Sequence, residues 1–388
     1  MSRGHLLLIV ASSFYHKGRY EARLKPCELF RRERLEGVPF QWLKTPPYKN
    51  NPVARLWNML VFSWRVLRRD WLQPNESPDV VLGSSPSLLA ALAALLLARK
   101  LNIPFVLEIR DFWPDSLRDV GAFSSWHPIY VVFKFIERYL YRNADLIVTL
   151  FQNSPEYINA NGGRADKIVW VPNGTDINQK DPLPAGSRQN YFSLIYFGAH
   201  GPYNDLEKVI EAAVLLQRKG WTGENLRIVL LGDGPSKSSL IEQADRHGVL
   251  ELIEFRKAVP KQELWDNILD ADAFLMIVKP MPSYKKGISP NKLWDYLAAA
   301  RPVLFSTVGG DQMARESGAG LAVEPGDAQA LVDGIETLCG MSEQERERMG
   351  QNGRRYAEEN ANIEHLAVRL ENALTKVIVD SNNVRSSI

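Results

Sequence analysis

Short apolar runs alternate with longer stretches of helical spacing along the first half of the chain. Four of these runs predict strands, at residues 5–12, 80–83, 105–109 and 146–150. Two longer stretches have apolar residues at helical spacing, at residues 87–100 and 129–142. Regular alternation of strand and helix indicates βαβ units around a parallel sheet.

The same alternation restarts after residues 176–190, a polar segment that contains Pro182, Pro184 and Gly186 and is therefore the best linker candidate. Beyond it the pattern predicts strands at 193–197, 226–231, 252–255 and 273–278, and helices at 206–220, 237–247 and 261–271. The prediction is an α/β protein with two Rossmann-like, doubly wound domains that face a cleft, where ligands bind at the carboxyl ends of the strands.

The predicted domain limits are 1–185 for the first domain and 190–355 for the second, with a C-terminal helix at 356–380 that crosses back to the first. A length of 388 residues agrees with two domains. A formal charge of +2 is too small to indicate nucleic acid as a partner. Cys27 and Cys339 lie far apart, without CxxC or Cys/His spacing, so the sequence predicts no metal site and a reducing, cytoplasmic location.

Residues 53–71 combine tryptophan with positive charge. Trp57, Trp64 and Trp71 recur every seven residues, among several arginines. A basic helix that carries tryptophan can lie in a membrane interface. Core packing of an amphipathic helix is the commoner explanation and is favoured, so peripheral membrane contact is the alternative here; no transmembrane segment is expected.

Residues 287–302, GISPNKLWDYLAAARP, predict a helix whose start can hold an anion. Ser289 is a suitable N-cap, Pro290 fits the first helical position, and Lys292 lies in the first turn, where backbone N–H groups lack helical partners. Lysine is disfavoured at the positive end of a helix dipole unless an anion binds there. Asp295 would share its face and suit ribose hydroxyls. The alternative is an ordinary capped surface helix.

Two further motifs have competing explanations. The run 108–115, EIRDFWPD, places four charged residues after a predicted strand. They would either act at the cleft or form an ion pair, between Glu108 and Arg110 or between Arg110 and Asp115.

The LGDGP run at 231–235 has two of the three glycines of a dinucleotide-binding turn. A helix that starts at Pro235 explains the run equally well.

Taken in order, several segments resemble the nucleotide-sugar glycosyltransferases of family 4, which have the GT-B fold, and in particular the bacterial subgroup for colanic acid and O-antigen that includes L-fucosaminyltransferase-like proteins. The segments are EIRDFWPDS at 108–116, YRNADLIVT at 141–149, VPNGTD at 171–176, FGAHG at 197–201, LGDGP at 231–235, the run at 287–302, and GAGLAVEPGD at 318–327.

The resemblance implies a donor site residue by residue. Lys292 would contact the diphosphate, and Asp295 would take the place of the glutamate that holds the ribose. Further donor contacts are implied for Gly198, His200, Gly201, Arg256, Lys257, Gly287, Ser289, Pro290 and Asn291. Arg110 and Asp111 fall where related enzymes have an acceptor-side motif, so a catalytic role is implied for them beside Lys292.

The sequence also departs from the family pattern. Gly287 stands where the family has the first of two glutamates, and Ala199 and Asn204 stand where it has an arginine and a lysine, so Lys292 would carry more of the diphosphate charge. The segment from Arg3 resembles the family's second strand, as though the first strand, its glycine-rich loop and a helix were absent.

Together, the resemblance implies a retaining hexosyltransferase of cell-surface polysaccharide synthesis that needs no added cofactor. Its donor would be a nucleoside diphosphate sugar, with UDP favoured over GDP, and its acceptor a glycan or a polyprenyl-linked oligosaccharide. It would work in the cytoplasm, at the inner face of the plasma membrane. The alternatives are a catalytically silent nucleotide-sugar-binding protein, suggested by Gly287 and Ala199, and an enzyme of the UDP-sugar 2-epimerase type.

Overall fold

The computed structural model describes residues 3–16, 20–49, 51–73, 76–184 and 189–386. The chain folds as two compact units, Met1–Trp170 with Leu370–Ile388, and Val171–Arg369. The domain limits given by the sequence stay predictions; residue 185, one of these limits, and part of the predicted linker lie outside the described residues.

In its described part, the first unit contains a parallel sheet of four strands in sequential order. These are β6 (Val81–Ser84), β7 (Phe105–Ile109), β8 (Leu146–Thr149) and β9 (Ile168–Trp170). A separate sheet has the order β1-β5-β4, with β1 (Ile9–Ser12) parallel to β5 (Val38–Leu43) and β4 (Phe30–Leu35) antiparallel to it. A separate short pair is formed by β2 (Phe14–Tyr15) and β3 (Tyr20–Glu21), which run antiparallel.

The helices of the first unit are α1 (Pro52–Arg68), α2 (Leu88–Leu101), α3 (Asp115–Asp119), α4 (Pro128–Asn143) and α5 (Ser154–Ala160). Side chains cap the longer ones: Asn51 accepts from the N–H groups of Val53 and Ala54, and Ser87 accepts from that of Ala90. Both α2 and α4 connect parallel neighbours in the sheet, as the predicted βαβ units require.

The second unit is built on a parallel sheet with the order β12-β11-β10-β13-β14-β15 within the described ranges. Its strands are β10 (Phe192–Phe197), β11 (Leu226–Leu231), β12 (Ile253–Arg256), β13 (Ala273–Ile277), β14 (Val303–Ser306) and β15 (Gly320–Ala322). The chain runs outward from β10 to β12 and then returns to the other side of β10. The boundary between β10 and β13 is therefore the topological switch point, where open α/β sheets bind ligands.

The second unit also contains helices, and the last of them leaves it. They are α6 (Leu206–Arg218), α7 (Lys237–Arg246), α8 (Asn291–Ala298), α9 (Gly310–Ser317), α10 (Ala328–Gly340), α11 (Glu343–Ala361) and the start of α12 (Ile363–Ser386), whose residues from Leu370 belong to the first unit. The helix predicted at 261–271 is wrong. The segment forms two 3₁₀ turns, Lys261–Glu263 and Asp266–Ile268, because its backbone bonds span three residues, as from Ile268 N–H to the Trp265 carbonyl.

Candidate functional site

The loop after β10 packs against the loop after β11. Gly198 donates its N–H to the Leu231 carbonyl, His200 donates to the Asp233 carbonyl at 2.8 Å, and Ser236 donates to the His200 carbonyl at 2.9 Å. Three backbone hydrogen bonds therefore fix residues 198–201 at the edge of the switch point, and Gly201 ends the run as the acceptor of a turn.

Close backbone approach explains the two glycines of the LGDGP run. A Cβ atom at Gly232 would lie 1.9 Å from the Gly198 carbonyl oxygen, and one at Gly234 would lie 2.5 Å from the His200 carbonyl oxygen. Neither position has room for a side chain. The run is thus the packing partner of the first loop, which explains its glycines without a dinucleotide-binding turn.

The His200 ring is buried, and neither of its nitrogens has a hydrogen-bond partner among the residues that the structure describes. The rings of Tyr196 and Phe255 lie 6.1 and 6.4 Å from it, centroid to centroid. Burial, reinforced by the positive charges of Lys237 and Lys292, lowers the pKa of His200 to about 4. The imidazole is therefore neutral near pH 7, with one donor and one acceptor unused.

The helix predicted over 287–302 is present but begins later than expected. Its N-cap is Pro290 and its first residue is Asn291, so Ser289 is not the cap. The reason is that the Ser289 hydroxyl accepts a hydrogen bond from the Asn173 backbone N–H, at 3.2 Å. No side chain of the described residues caps α8; the Leu293 N–H donates to the Pro290 carbonyl at 3.1 Å, and the N–H groups of Asn291 and Lys292 lack helical acceptors. Gly287 precedes the helix with φ +107°, a conformation that favours glycine.

Lys292 extends from this first turn back across the loop after β10. Its Nζ atom is buried without a hydrogen-bond partner in the described part of the chain and lies 4.0 Å from the centroid of the Tyr196 ring. Gly198, which the Lys292 side chain passes, has φ +146°, a backbone conformation that side chains rarely adopt, so the loop favours a glycine there. Burial lowers the pKa of Lys292 to about 7.

Tyr196 is a site residue that the motifs did not reveal. Its hydroxyl donates to the Ala199 carbonyl at 2.7 Å, which fixes the ring under the Lys292 amine. It lies inside an apolar β-strand, where an aromatic residue ordinarily indicates only core, and no sequence signal separates it from its neighbours.

Asp295 is buried, and two residues of the segment that precedes β10 donate hydrogen bonds to its carboxylate. Its Oδ1 atom accepts hydrogen bonds from the Thr175 hydroxyl, at 2.6 Å, and from the Lys180 ammonium. Its Oδ2 atom receives no hydrogen bond from the described residues. The carboxylate is thus oriented by an internal ion pair that the sequence did not predict.

Arg256 belongs to an ion-pair cluster at the end of β12. It donates to Glu254 and to Asp270, each at 2.8 Å, while the neighbouring Lys257 is exposed. A second lysine that the motifs missed, Lys237, donates to the backbone carbonyls of Gly232 and Arg256 at 2.7 Å each. These contacts tie the ends of β11 and β12 together.

Arg110 and Asp111 lie in the first unit, at the carboxyl end of β7, whereas every other predicted site residue lies in the second unit. The Ser85 hydroxyl accepts from the backbone N–H groups of both residues, at 2.8 and 3.3 Å. The Arg110 side chain is exposed, and neither ion pair proposed from the sequence, with Glu108 or with Asp115, forms within the described ranges.

Asp115 has an internal role instead. It is buried and accepts hydrogen bonds from the hydroxyls of Tyr130 and Tyr157, at 2.8 and 2.9 Å. Lys134 lies 3.4 Å away and also contacts the buried Glu137. This polar cluster explains why the acidic end of the EIRDFWPD motif is retained inside the fold.

No group of three or more His, Cys, Asp or Glu side chains is arranged to hold a metal ion in the described residues. Among the same residues, no helix combines the length and the apolar character needed to cross a bilayer.

Two curated relatives match most of the chain. The colanic acid biosynthesis glycosyl transferase WcaI of Escherichia coli is 25% identical over 330 residues, which covers 79% of this chain and 78% of that protein. WbjE of Pseudomonas aeruginosa, named as a glycosyltransferase, is 22% identical over 306 residues, or 74% and 71% of the two chains.

Solved structures share the fold at low identity. Sucrose-phosphate synthase from Thermosynechococcus elongatus superposes with a TM-score of 0.71 at 14% identity and covers 98% of this chain and 90% of that one. HepE from Anabaena, in complex with UDP and glucose, superposes with a TM-score of 0.62 at 17% identity, over 87% and 86% of the two chains.

Two family models account for nearly the whole sequence. Residues 2–174 match the glycosyl transferase 4-like domain, and residues 178–356 match glycosyl transferases group 1. These matches confirm the predicted family, and the superpositions confirm the predicted fold class. The chain therefore belongs to the family 4 glycosyltransferases, enzymes with the GT-B fold.

Proposed function

We propose that this glycosyltransferase moves a sugar, with retention of configuration, from a UDP-sugar to a glycan or polyprenyl-linked acceptor in cell-surface polysaccharide synthesis. The observation that carries the donor assignment is the buried, unpartnered Nζ of Lys292 at the uncapped start of α8. The names of WcaI and of the HepE complexes with UDP support the choice of pathway and of base.

The arrangement around Lys292 suits a diphosphate. A buried ammonium without a counter-ion is unfavourable, and so is a histidine ring with two unused nitrogens, because both have lost water without gaining a partner. An anion between Lys292, His200 and the N–H groups of α8 would satisfy all three at once. Gly198 and Gly201 would let the phosphates approach the backbone of their loop.

Asp295 is the proposed ribose ligand. Thr175 and Lys180 hold Oδ1, which leaves Oδ2 for two neighbouring hydroxyls of a ribose. The segment of Arg256 and Lys257 would border the base. Because the Arg256 guanidinium already binds two carboxylates, we propose that it shapes this border through its backbone while Lys257, which is exposed, contacts the nucleotide.

Retention follows from a proposed front-face transfer. The bond from the anomeric carbon to the leaving phosphate oxygen breaks, and a bond to the acceptor oxygen forms on the same face of the sugar. The acceptor's proton passes to the leaving phosphate. Lys292 would stabilise the negative charge of that phosphate. A glycine at position 287, in place of a carboxylate, is compatible with this route, and we propose Arg110 and Asp111 as acceptor-side residues.

Turnover of UDP-, GDP- and dTDP-sugars in the presence of lipid-linked and glycan acceptors tests the proposal. We expect transfer from a UDP-sugar by the wild type and loss of most of it in Lys292→Ala. Unchanged turnover in this variant would refute the donor assignment. Nucleotide binding without transfer would instead indicate a silent binding protein, and conversion of the UDP-sugar without acceptor would indicate an epimerase.

A polyprenyl-linked acceptor would place the reaction at the cytoplasmic face of the plasma membrane, and we propose that residues 53–71 contribute a peripheral contact there. Recovery of the protein with membranes after gentle lysis, and its release by salt, would support this location. Complete recovery in the soluble fraction would contradict it.

A further inference from the structure

Helices α1, α2 and α4 form one layer of the first unit. Because α2 and α4 are successive crossovers in a parallel sheet of sequential order, both lie on the same side of it, and they pack against each other. Helix α1 packs against α2. The outward sides of the three helices therefore form a common surface, the outer helical face.

The outward side of α1 is apolar for most of its length. Val53, Trp57, Leu60 and Trp64 are spaced by four, three and four residues and are all exposed, with Trp57 58% and Trp64 53% accessible. Core packing, the explanation favoured by the sequence, is wrong for these two tryptophans and is confirmed only for Trp71, which is buried.

Helix α4 repeats this pattern. Val131, Val132 and Phe135 lie on its outward side, with Phe135 69% accessible, and Trp126 is exposed directly before the helix. Leu96 adds an exposed apolar side chain on α2. Scattered apolar residues on a surface need no explanation, but exposed apolar rows on two helices of one layer, with Trp57, Trp64 and Phe135 among them, indicate a binding surface.

All accessible charges of these three helices are positive. Helices α1 and α2 contain no acidic residue, and the one carboxylate of α4, Glu137, is buried beside Lys134 at 2.6 Å. The exposed cations are Arg55, near the amino end of α1, and five that lie towards the carboxyl ends of the helices, Arg68, Arg99, Lys100, Arg138 and Arg142. On α4 the exposed apolar residues precede Arg138 and Arg142, whereas on α2 Leu96 lies beside Arg99 and Lys100.

We infer that the outer helical face docks on an anionic lipid bilayer, with its aromatic side chains in the interface and its basic ends over lipid phosphates. Tryptophan with arginine and lysine is the composition that binds such surfaces. A second copy of the chain is a poorer occupant, because a two-fold contact through this face would oppose like charges. The inference deepens the proposed membrane contact and extends it beyond residues 53–71 to α2 and α4.

Vesicle flotation of the full chain, without any sugar nucleotide, tests the face independently of transfer. We expect at least a tenfold greater share of bound protein with vesicles rich in phosphatidylglycerol than with phosphatidylcholine alone. Trp57→Ser combined with Phe135→Ser should abolish most of this binding. Quenching of tryptophan fluorescence by brominated acyl chains should fall in Trp57→Ser combined with Trp64→Ser, with Trp126 left on the face as the remaining reporter.

Control variants separate the contributions of the apolar and basic parts of the face to vesicle binding from any effect on folding. Leu250→Ser, at an exposed apolar residue of the second unit, should bind vesicles as the wild type does. Lys100→Gln combined with Arg138→Gln should weaken binding to anionic vesicles and reduce its dependence on salt. Each variant should keep the wild-type Tm.

Equal flotation of the aromatic variant and the wild type would overturn the inference, as would no binding to anionic vesicles at low salt. A dimer that the Trp57 and Phe135 substitutions disperse would instead assign the face to a second copy. In each of these outcomes, intact transfer to a soluble glycan acceptor would leave the proposed transfer activity standing.

Discussion

The ammonium of Lys292 lies 4.0 Å from the centroid of the Tyr196 ring and has no hydrogen-bond acceptor among the described residues. A cation over an aromatic face keeps part of its electrostatic stabilisation without a counter-ion. The ring therefore holds the amine in place before a donor arrives, at the point where a diphosphate would meet the start of α8.

The affinity for a UDP-sugar should fall as the pH rises above about 7. Burial lowers the pKa of Lys292 to about 7 in the empty site, and a diphosphate binds the protonated amine, so each pH unit above this value weakens binding by up to tenfold. UDP-glucose is a suitable probe, because its two phosphates do not titrate near neutral pH. Calorimetric dissociation constants between about pH 6 and 9 measure the effect.

Lys292→Arg is the control for this pH dependence, because a guanidinium stays charged throughout the range. We expect its affinity for UDP-glucose to be independent of pH. A wild type that binds equally well at both ends of the range would contradict the assignment of the titrating group.

His200→Phe should change stability and donor binding in opposite directions. The substitution removes two buried nitrogens without partners, so the protein without ligand should gain about 1 kcal/mol of unfolding free energy. The UDP affinity should fall, because a donor to the phosphates is lost. Tm without ligand and calorimetric binding of UDP measure both effects, and a variant that is less stable but binds normally would show that the ring is structural.

The low pKa of His200 adds a pH signature to the same variant. The folded state holds the imidazole neutral down to about pH 4, whereas the unfolded state takes up a proton near pH 6.5. Stability contributed by neutral His200 is therefore present above about pH 6.5 and is lost as the pH falls towards 4. The fall in Tm between neutral and mildly acidic pH should therefore be smaller in His200→Phe than in the wild type, because the variant has no imidazole at this position.

The pair of Lys180 and Asp295 should be a stabilising contact whose removal on one side is costly. Lys180→Met leaves the Asp295 carboxylate buried without its cation, and we expect a loss of about 3–5 kcal/mol of unfolding free energy. Lys180→Met combined with Asp295→Asn should recover part of this loss. Denaturant unfolding of the two variants measures it, and a Lys180→Met protein as stable as the wild type would show that the ion pair is not formed.

The pattern of apolar residues along the chain predicted those strands and helices that have a continuous buried face. The apolar runs of β10 and β11 and the spacing of α1 indicated the correct elements because each buried face repeats over several residues. The hairpin of β4 and β5 was missed because β4, FRRERL, is mostly charged and partly exposed, so no apolar alternation marks it.

Contacts between distant residues are not predicted by such a pattern. The Asn173 backbone N–H donates a hydrogen bond to the Ser289 hydroxyl, and the Lys180 ammonium donates one to the Asp295 carboxylate. More than 100 residues of chain separate the two partners in each case. Neither spacing carries a pattern. The start of α8 and the orientation of the proposed ribose ligand were therefore visible only in the structure.

Gly232→Ala should displace the loop that carries His200. The added Cβ would meet the Gly198 carbonyl oxygen at 1.9 Å, and a clash with backbone costs at least the 1–3 kcal/mol typical of overpacking, so about that much stability should be lost. Gly340→Ala is the matched control, because nothing lies within 4 Å of its Cβ. Tm and UDP affinity should both fall in the first variant and not in the second; equal behaviour of the two would contradict the close approach of the loops.

The donor site at Lys292 is tested most sharply by the affinities of UDP and of uridine for the wild type and for Lys292→Met, because the two ligands differ only in the diphosphate. If Lys292 holds the diphosphate, the substitution should remove about 1.5–3 kcal/mol, or about 10- to 150-fold, from UDP binding. Uridine binding should stay unchanged. An equal loss for both ligands, or no loss for UDP, would contradict a diphosphate site at Lys292.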